Sequence, residues 1–264
     1  MNTSITRWLG EPALRGLSLD DSTSAQVHRE ILSSKPLLRS LFLDFYRQCR
    51  DLDEQHFGDG PGRRLELGAG SSFMNQIYPD VVSSDIKCLP FLNMATSGLA
   101  LPFRDDSLRA IYAINVFHHL PDVNIFFREA LRALRPGGGV VLIEPFHGPV
   151  ASWLFKRLHA TETFDASMED WAYDTTGPMS DANQAMAYIV FHRDRQLFEE
   201  RFPGLEILVS KPHTHARYVL SGGVNFRALV PTPLSWVAHG LEKILAPANR
   251  LIALQQTIVL RKRP

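Results

Sequence analysis

The stretch Arg64-Leu65-Glu66-Leu67-Gly68-Ala69-Gly70-Ser71-Ser72 sets the reading of the rest of this chain. An apolar strand carries an acid, Glu66, two places before a Gly-x-Gly turn. A short helix is expected from Phe73 to Tyr78, stopped by Pro79. Strand, glycine turn and helix start, in that order, form a cradle for a small-molecule cofactor. The two glycines let the backbone turn tightly and approach a ligand closely.

The residues around the turn narrow the choice of ligand. A dinucleotide fingerprint needs a third glycine, and Phe73 stands at that position. No G-x-x-x-x-G-K-[ST] run occurs, so a P-loop is absent. An acid at the strand end suits a cationic ligand rather than a pyrophosphate. S-adenosylmethionine, with its ammonium, sulfonium and ribose diol, is the expected cofactor. A second strand, Val81-Val82-Ser83-Ser84, leads to Asp85, nineteen residues after Glu66. An acid there is placed to accept both ribose hydroxyls.

Longer motifs carry a family resemblance. Leu65-Glu66-Leu67-Gly68-Ala69-Gly70 resembles motif I of the class I S-adenosylmethionine-dependent methyltransferases. Leu101-Pro102-Phe103-Arg104-Asp105-Asp106-Ser107-Leu108 resembles the LPF-x-D-x-S-[FL] segment of their type 11 group. Phe117-His118-His119-Leu120 and Leu134-Arg135-Pro136-Gly137-Gly138 are similar to that group's later signatures. Outside this span, His28-Arg29-Glu30-Ile31-Leu32 and Ser221-Gly222-Gly223 resemble uncharacterised bacterial members. The resemblance implies an α/β, Rossmann-like fold. Its sheet would be seven-stranded and mostly parallel, with helices on both faces and an antiparallel last strand.

Composition agrees with a globular α/β chain. Of 264 residues, 45% are hydrophobic, and 28 basic residues balance 28 acidic ones. That neutrality, without a basic stripe, argues against a nucleic-acid substrate. An Asn/Asp-Pro-Pro-aromatic box is also missing, since Asn115 precedes Val116, Phe117 and His118. Cys49 and Cys88 lie too far apart for a zinc or disulfide framework, which suits a reducing cytoplasm. Met1 to Gly10 holds no run of signal-peptide length, and no apolar run approaches a spanning helix. A soluble protein without an integral membrane segment is expected.

The pattern along the chain divides it into an N-terminal helical segment, residues 1–57, read either as a cap over the crevice or as a helix packed across the sheet, and a methyltransferase domain, residues 58–264. In the cap, Asp21-Ser22-Thr23 is read as a helix cap, and Pro36 as a break or restart. Strands are expected at 63–67, 81–84, near 93–96, 110–114, 140–143, 205–209 and 256–260. Helices are expected at 123–134, 181–202 and 234–245. Residues 146–180 form a lid insertion rich in aromatics, including Phe146, Trp153, Phe155, Phe164, Trp171 and Tyr173. They are read either as an acceptor clamp or as the lid's own core. The face Leu234, Trp236, Val237, Leu241, Ile244, Leu245 is read as packing on the domain rather than on a membrane.

Cofactor contacts are expected from Glu66 to the ammonium and from Gly68, Ala69 and Gly70 along the methionine side. Ser71 and Ser72 are read as caps that also face the carboxylate, and Asp85 as the ribose acid. Relatives often carry an acid before LPF that faces the adenine amine. Here Thr96-Ser97-Gly98-Leu99-Ala100 has none, so Ser97, beside Leu99, or a backbone carbonyl takes that place. Asn115, after the fourth strand, is expected to touch the cofactor. His118, His119 and Glu144 are the candidate bases; the histidine pair is read alternatively as shaping the turn before Pro121-Asp122, and Glu144 as a partner for an Arg. His147 and His159 lack Asp or Cys partners at ligand spacing, so no metal is expected. The function expected is methyl transfer to a small-molecule acceptor, a hydroxyl on a sugar or metabolite. The alternatives are a non-catalytic S-adenosylmethionine-binding protein and a protein methyltransferase.

Overall fold

The computed structural model describes residues 9–17, 21–158, 162–175, 177, 182–214 and 216–264. Seven strands form one sheet: β1 (Arg63–Leu67), β2 (Val81–Asp85), β3 (Met94–Ala95), β4 (Leu108–Ile114), β5 (Leu134–Pro145), β6 (Leu205–His213) and β7 (Gln255–Lys262). The order is β3-β2-β1-β4-β5-β7-β6. β1 to β5 pair in parallel, whereas β7 runs antiparallel to both β5 and β6. The chain order reverses between β1 and β4. Open α/β sheets form their ligand crevice at such a point, beyond the carboxyl ends of the strands.

Alternation along the central strands assigns each side chain to a face. Ile111 and Ala113 of β4, with Val140 and Leu142 of β5 and Ile258 and Leu260 of β7, join one core cluster. Ala110 and Tyr112, with Val141, Ile143 and Val259, join the other. The first face is covered by α3 (Val123–Ala133), α4 (Pro149–Leu158) and α5 (Arg195–Arg201), which supply Phe126, Phe127, Phe155 and Phe198. The second face is covered by α2 (Pro36–His56), through Leu38, Leu41, Phe45, Tyr46 and Cys49.

The N-terminal helices start and stop on local signals. In α1 (Ser22–Ser34) the Asp21 side chain accepts from Thr23 N at 2.9 Å. Pro36 then opens α2, where its missing N–H is no loss. A buried carboxylate anchors the end of α2 to the sheet. Asp53 accepts from Arg64 Nε, Arg109 Nε and the Tyr112 hydroxyl, each at 2.6 Å. Its charge is thus balanced on three sides.

Several expectations are corrected. The helix after the glycine turn is a single turn, Met74–Ile77. β5 begins six residues earlier than expected, at Leu134, because Leu134 pairs with Leu108 across an irregularity in β4. The helix expected from Asp181 to Phe202 is interrupted. It consists of a turn at Met186–Tyr188, a π-helical turn at Ile189–Arg193 and then α5. Asp181 and His159 lie outside the described residues.

The apolar face at 234–245 does not pack as expected. In α7 (Ser235–Leu245), which rests on α6 (Ala216–Ser221), only the small Ala238 is buried. Trp236 is 69% and Ile244 74% exposed, and Leu234, Leu241 and Leu245 are exposed too. The sheet faces are already covered, so this helix has only another helix to lie on. Among the described residues, no helix is long and apolar enough to cross a membrane.

Candidate active site

β1 delivers Glu66 to the floor of the crevice, 2% exposed. Its Oε2 accepts a short hydrogen bond from the Ser83 hydroxyl of β2. Burial raises the carboxyl to about 7, against the opposing hydrogen bonds of Ser72 and Ser83 and the charge of Arg29. The turn beyond it places Gly68 at φ +63° and Gly70 at φ +48°. A Cβ on Gly68 would stand 2.5 Å from Val116 Cγ2, so glycine is required there by conformation and by space.

Asp85 closes the other side. Its Oδ2 accepts from Gly70 N at 2.8 Å and its Oδ1 from Lys87 N at 2.9 Å. Each oxygen keeps one lone-pair direction for a further donor. Ser72 is buried, and its hydroxyl accepts from Met74 N at 3.1 Å while bonding Tyr46 Oη at 2.8 Å. Phe73 N donates to that same Tyr46 oxygen at 3.2 Å. A tyrosine of α2 therefore holds the turn, a contribution the sequence pattern did not signal. Ala69 is held by its own amide, which donates to Ser84 O at 2.7 Å. Arg29 of α1 donates to Ser72 O, and its guanidinium lies 4.4 Å from the centre of the Phe91 ring. The first helix thus lies beside the cradle.

Ser97 and Leu99 sit in a tight turn, in which Leu99 N donates to Ser97 Oγ at 3.1 Å. Asn115 follows β4 at φ +55°, with its backbone amide donating to Ile143 O at 2.8 Å. This left-handed residue swings the chain so that Val116 lies against Gly68.

The second half of the site lies beyond β4 and β5. Glu144, fully buried, accepts from Val116 N and Phe117 N through Oε1, both at 2.8 Å. Its Oε2 lies 2.6 Å from His118 Nδ1. Glu144 was expected to open to the crevice; instead both oxygens are engaged and it fixes His118. Burial opposes the charged imidazole of His118, but the adjacent Glu144 carboxylate outweighs it and raises the pKa. The His119 ring lies beside it, tilted by 39°, ring centres 4.3 Å apart.

Glu162, Tyr173 and Asn183, from beyond β5, supply the opposite wall. Glu162 lies 3.8 Å from His118 Nε2 and 3.8 Å from His119 Nε2. Tyr173 Oη donates to His118 O at 2.8 Å, and Asn183 N to the same oxygen at 3.2 Å. Phe155, Phe164 and Trp171 are buried in the sheet's own core cluster, whereas Trp153 is exposed. His147 stacks on Tyr188, centres 3.9 Å apart. Sequence spacing did not reveal Glu162, because it stands 43 residues beyond His119 and meets the pair only in space.

Residues 65–142 match the family model described as a methyltransferase domain, type 11. That span carries a methyltransferase domain. Among solved structures, this methyltransferase resembles a chain of the Haloferax volcanii complex between a methyltransferase activator and a protein assigned as a methyltransferase. The two are 12% identical over 94% of this chain and 98% of that one, at TM-score 0.50. That likeness is one of fold. A protein assigned as a sarcosine dimethylglycine methyltransferase, from Galdieria sulphuraria, matches at 16% identity, 91% and 98% coverage and TM-score 0.49. A methyltransferase from Archaeoglobus fulgidus matches at 12%, 83% and 92%, and 0.49.

The cradle of this methyltransferase fits S-adenosylmethionine by its donor set. Glu66 is a buried acid whose contacts are hydroxyls, and no ion pair closes on it among the described residues. A buried carboxylate so placed favours a cationic group such as the cofactor's ammonium.

Proposed function

We propose that this methyltransferase acts on a small molecule and that the accepting atom is a hydroxyl oxygen. The observation that carries this reading is the cluster beyond β4 and β5. There His118, fixed by Glu144, faces His119 and the lid's Glu162. An amine acceptor needs only its neutral form. A hydroxyl must lose a proton, and this cluster is where groups able to receive or replace one are gathered. Formal neutrality of the chain also supports a small uncharged acceptor over a nucleic acid.

Bound S-adenosylmethionine supplies an activated methyl group, with a neutral thioether as leaving group. The chain's own residues bind and orient. In this reading Glu66 holds the ammonium, directly or through water. The backbone of Gly68, Ala69 and Gly70 follows the methionine side, and Ser72 stiffens that turn. Asp85 takes the ribose hydroxyls with its free lone pairs, Ser97 and Leu99 flank the adenine, and Asn115 borders the cofactor. Residues 1–57 act as a cap and 146–180 as a lid that excludes water. Orientation of this kind supplies up to about 7–11 kcal/mol of a barrier.

The experiment is a screen of hydroxylated sugars, phenols and hydroxy acids for acceptor-dependent release of S-adenosylhomocysteine. Turnover with one such class, reduced at least 100-fold in His118→Ala, supports the reading. Release driven by protein fractions alone, or by amines but no hydroxyl, overturns it.

A further inference from the structure

His118 Nε2, His119 Nε2 and a Glu162 oxygen converge from two sides of the crevice, and one donor atom of each lies within 4.8 Å of the others. We propose that these three residues form a binding site for a divalent transition-metal ion. Its donor set, two imidazole nitrogens and one carboxylate oxygen, suits zinc, iron(II) or manganese(II) rather than magnesium or calcium.

The spacing carries the first part of the argument. Both nitrogens stand 3.8 Å from Glu162 oxygens, beyond hydrogen-bond distance. An ion pair for its own sake would close to about 2.8 Å. Ligands about 2.0–2.2 Å from a shared tetrahedral ion lie roughly 3.4 Å apart. The two 3.8 Å separations run to different Glu162 oxygens, and one donor of each residue, within 4.8 Å of the others, would draw in by up to about 1.4 Å around a shared ion. The three donors face a shared space between the two walls.

The support of the ligands carries the second part. A metal-bound histidine commonly gives its other ring nitrogen to a carboxylate, which fixes its tautomer and aim. His118 Nδ1 is 2.6 Å from Glu144 Oε2, and the other Glu144 oxygen is pinned by two backbone amides. On the opposite wall, Gln184 Nε2 donates to Glu162. Gln184 is 3% exposed, and its amide oxygen is buried with no hydrogen-bond partner. An orphaned acceptor beside the carboxylate is placed to accept a hydrogen bond from metal-bound water or hydroxyl. The His118 carbonyl, held by Tyr173 and Asn183, ties the two walls together.

Three protein ligands leave at least one coordination position for a water or an acceptor oxygen. Metal binding does not depend on the proposed hydroxyl acceptor. Only its consequence does: a hydroxyl bound there would release its proton to water more readily, so that the oxygen meets the methyl group as an alkoxide.

The test is calorimetric titration of chelator-treated protein with Zn²⁺, Mn²⁺ and, under anaerobic conditions, Fe²⁺, with Mg²⁺ as control. Cobalt(II) substitution gives a spectroscopic check. The expected result is one equivalent bound for at least one of the three and none for Mg²⁺. Affinity should fall at least 100-fold in His119→Ala and Glu162→Gln, and roughly 10–100-fold in Glu144→Gln. Circular dichroism confirms that each variant is folded. Should the variants fail to fold, visible cobalt bands of a nitrogen- and oxygen-ligated site in the unaltered protein carry the proposal, and their absence overturns it. Absence of stoichiometric binding, or binding unchanged in a folded His119→Ala, Glu162→Gln double variant, also overturns it. S-adenosylmethionine titrated into the same sample separates the two claims. Metal binding without cofactor binding sinks the methyltransfer reading and leaves the metal site standing.

Discussion

At Glu66, a carboxyl enclosed by hydroxyls keeps its proton to about pH 7, where an exposed one ionises near 4.5. Between those values the folded chain binds more protons at this position than the unfolded chain. Its stabilising contribution is therefore complete below about pH 4.5 and is lost as pH rises through 7. Cofactor binding has the opposite slope, because the ammonium needs the carboxylate. Affinity for S-adenosylmethionine should rise by up to about tenfold per pH unit toward pH 7 and then level off. Calorimetry in two buffers of different ionisation enthalpy should detect a proton released at pH 6. Glu66→Gln should abolish that release and flatten the profile; a profile unchanged by this substitution contradicts the assignment. Gly68 makes a second residue-scale prediction. Gly68→Ala brings a Cβ within 2.5 Å of Val116 and places alanine at φ +63°. The backbone strain alone costs roughly 1–2 kcal/mol. Cofactor affinity should fall at least tenfold, and adding Val116→Ala should restore only part of it, since the strain remains.

Elements couple these residues to the sheet, and α2 does most of this. Tyr46→Phe removes the acceptor of Phe73 N and the partner of the Ser72 hydroxyl. A stability loss of about 1–3 kcal/mol is expected, with weaker cofactor binding, read by urea denaturation and titration. At the other end of the helix, Asp53→Ala strands Arg109 without its counter-charge and leaves Arg64 paired only with Asp80. Breaking such a pair typically costs about 3–5 kcal/mol. The urea midpoint should drop accordingly, while any protein that remains folded should bind cofactor normally. The element scale is also where sequence reading succeeded and failed. Glu66, Gly68, Gly70 and Asp85 were legible because a strand end, a glycine turn and a strand-end acid are local grammar. The break at Ile189–Arg193 was not, because an apolar run continues through a π turn without a Gly or Pro to mark it. Tyr46 and Glu162 were hidden, since each reaches its partners across a tertiary contact.

Across the whole molecule, the reversal between β1 and β4 and the antiparallel β7 produce one crevice with two unlike halves. One is the acidic cradle of Glu66 and Asp85, and the other is the histidine cluster faced by Glu162. Burial of the central strands was legible as continuous apolar runs, because a parallel sheet covered on both faces needs them. Which face of α7 meets the domain was not, because amphipathic spacing describes a helix and not its neighbour. The exposed Trp236 and Ile244 show the difference. Calorimetric titration of the purified protein with S-adenosylmethionine, with NAD as control, tests the central claim. Saturable one-to-one binding of S-adenosylmethionine alone, sharply weakened in Asp85→Ala, is the predicted result. A folded protein that binds neither compound, or binds NAD equally well, contradicts the cradle on which the assignment rests.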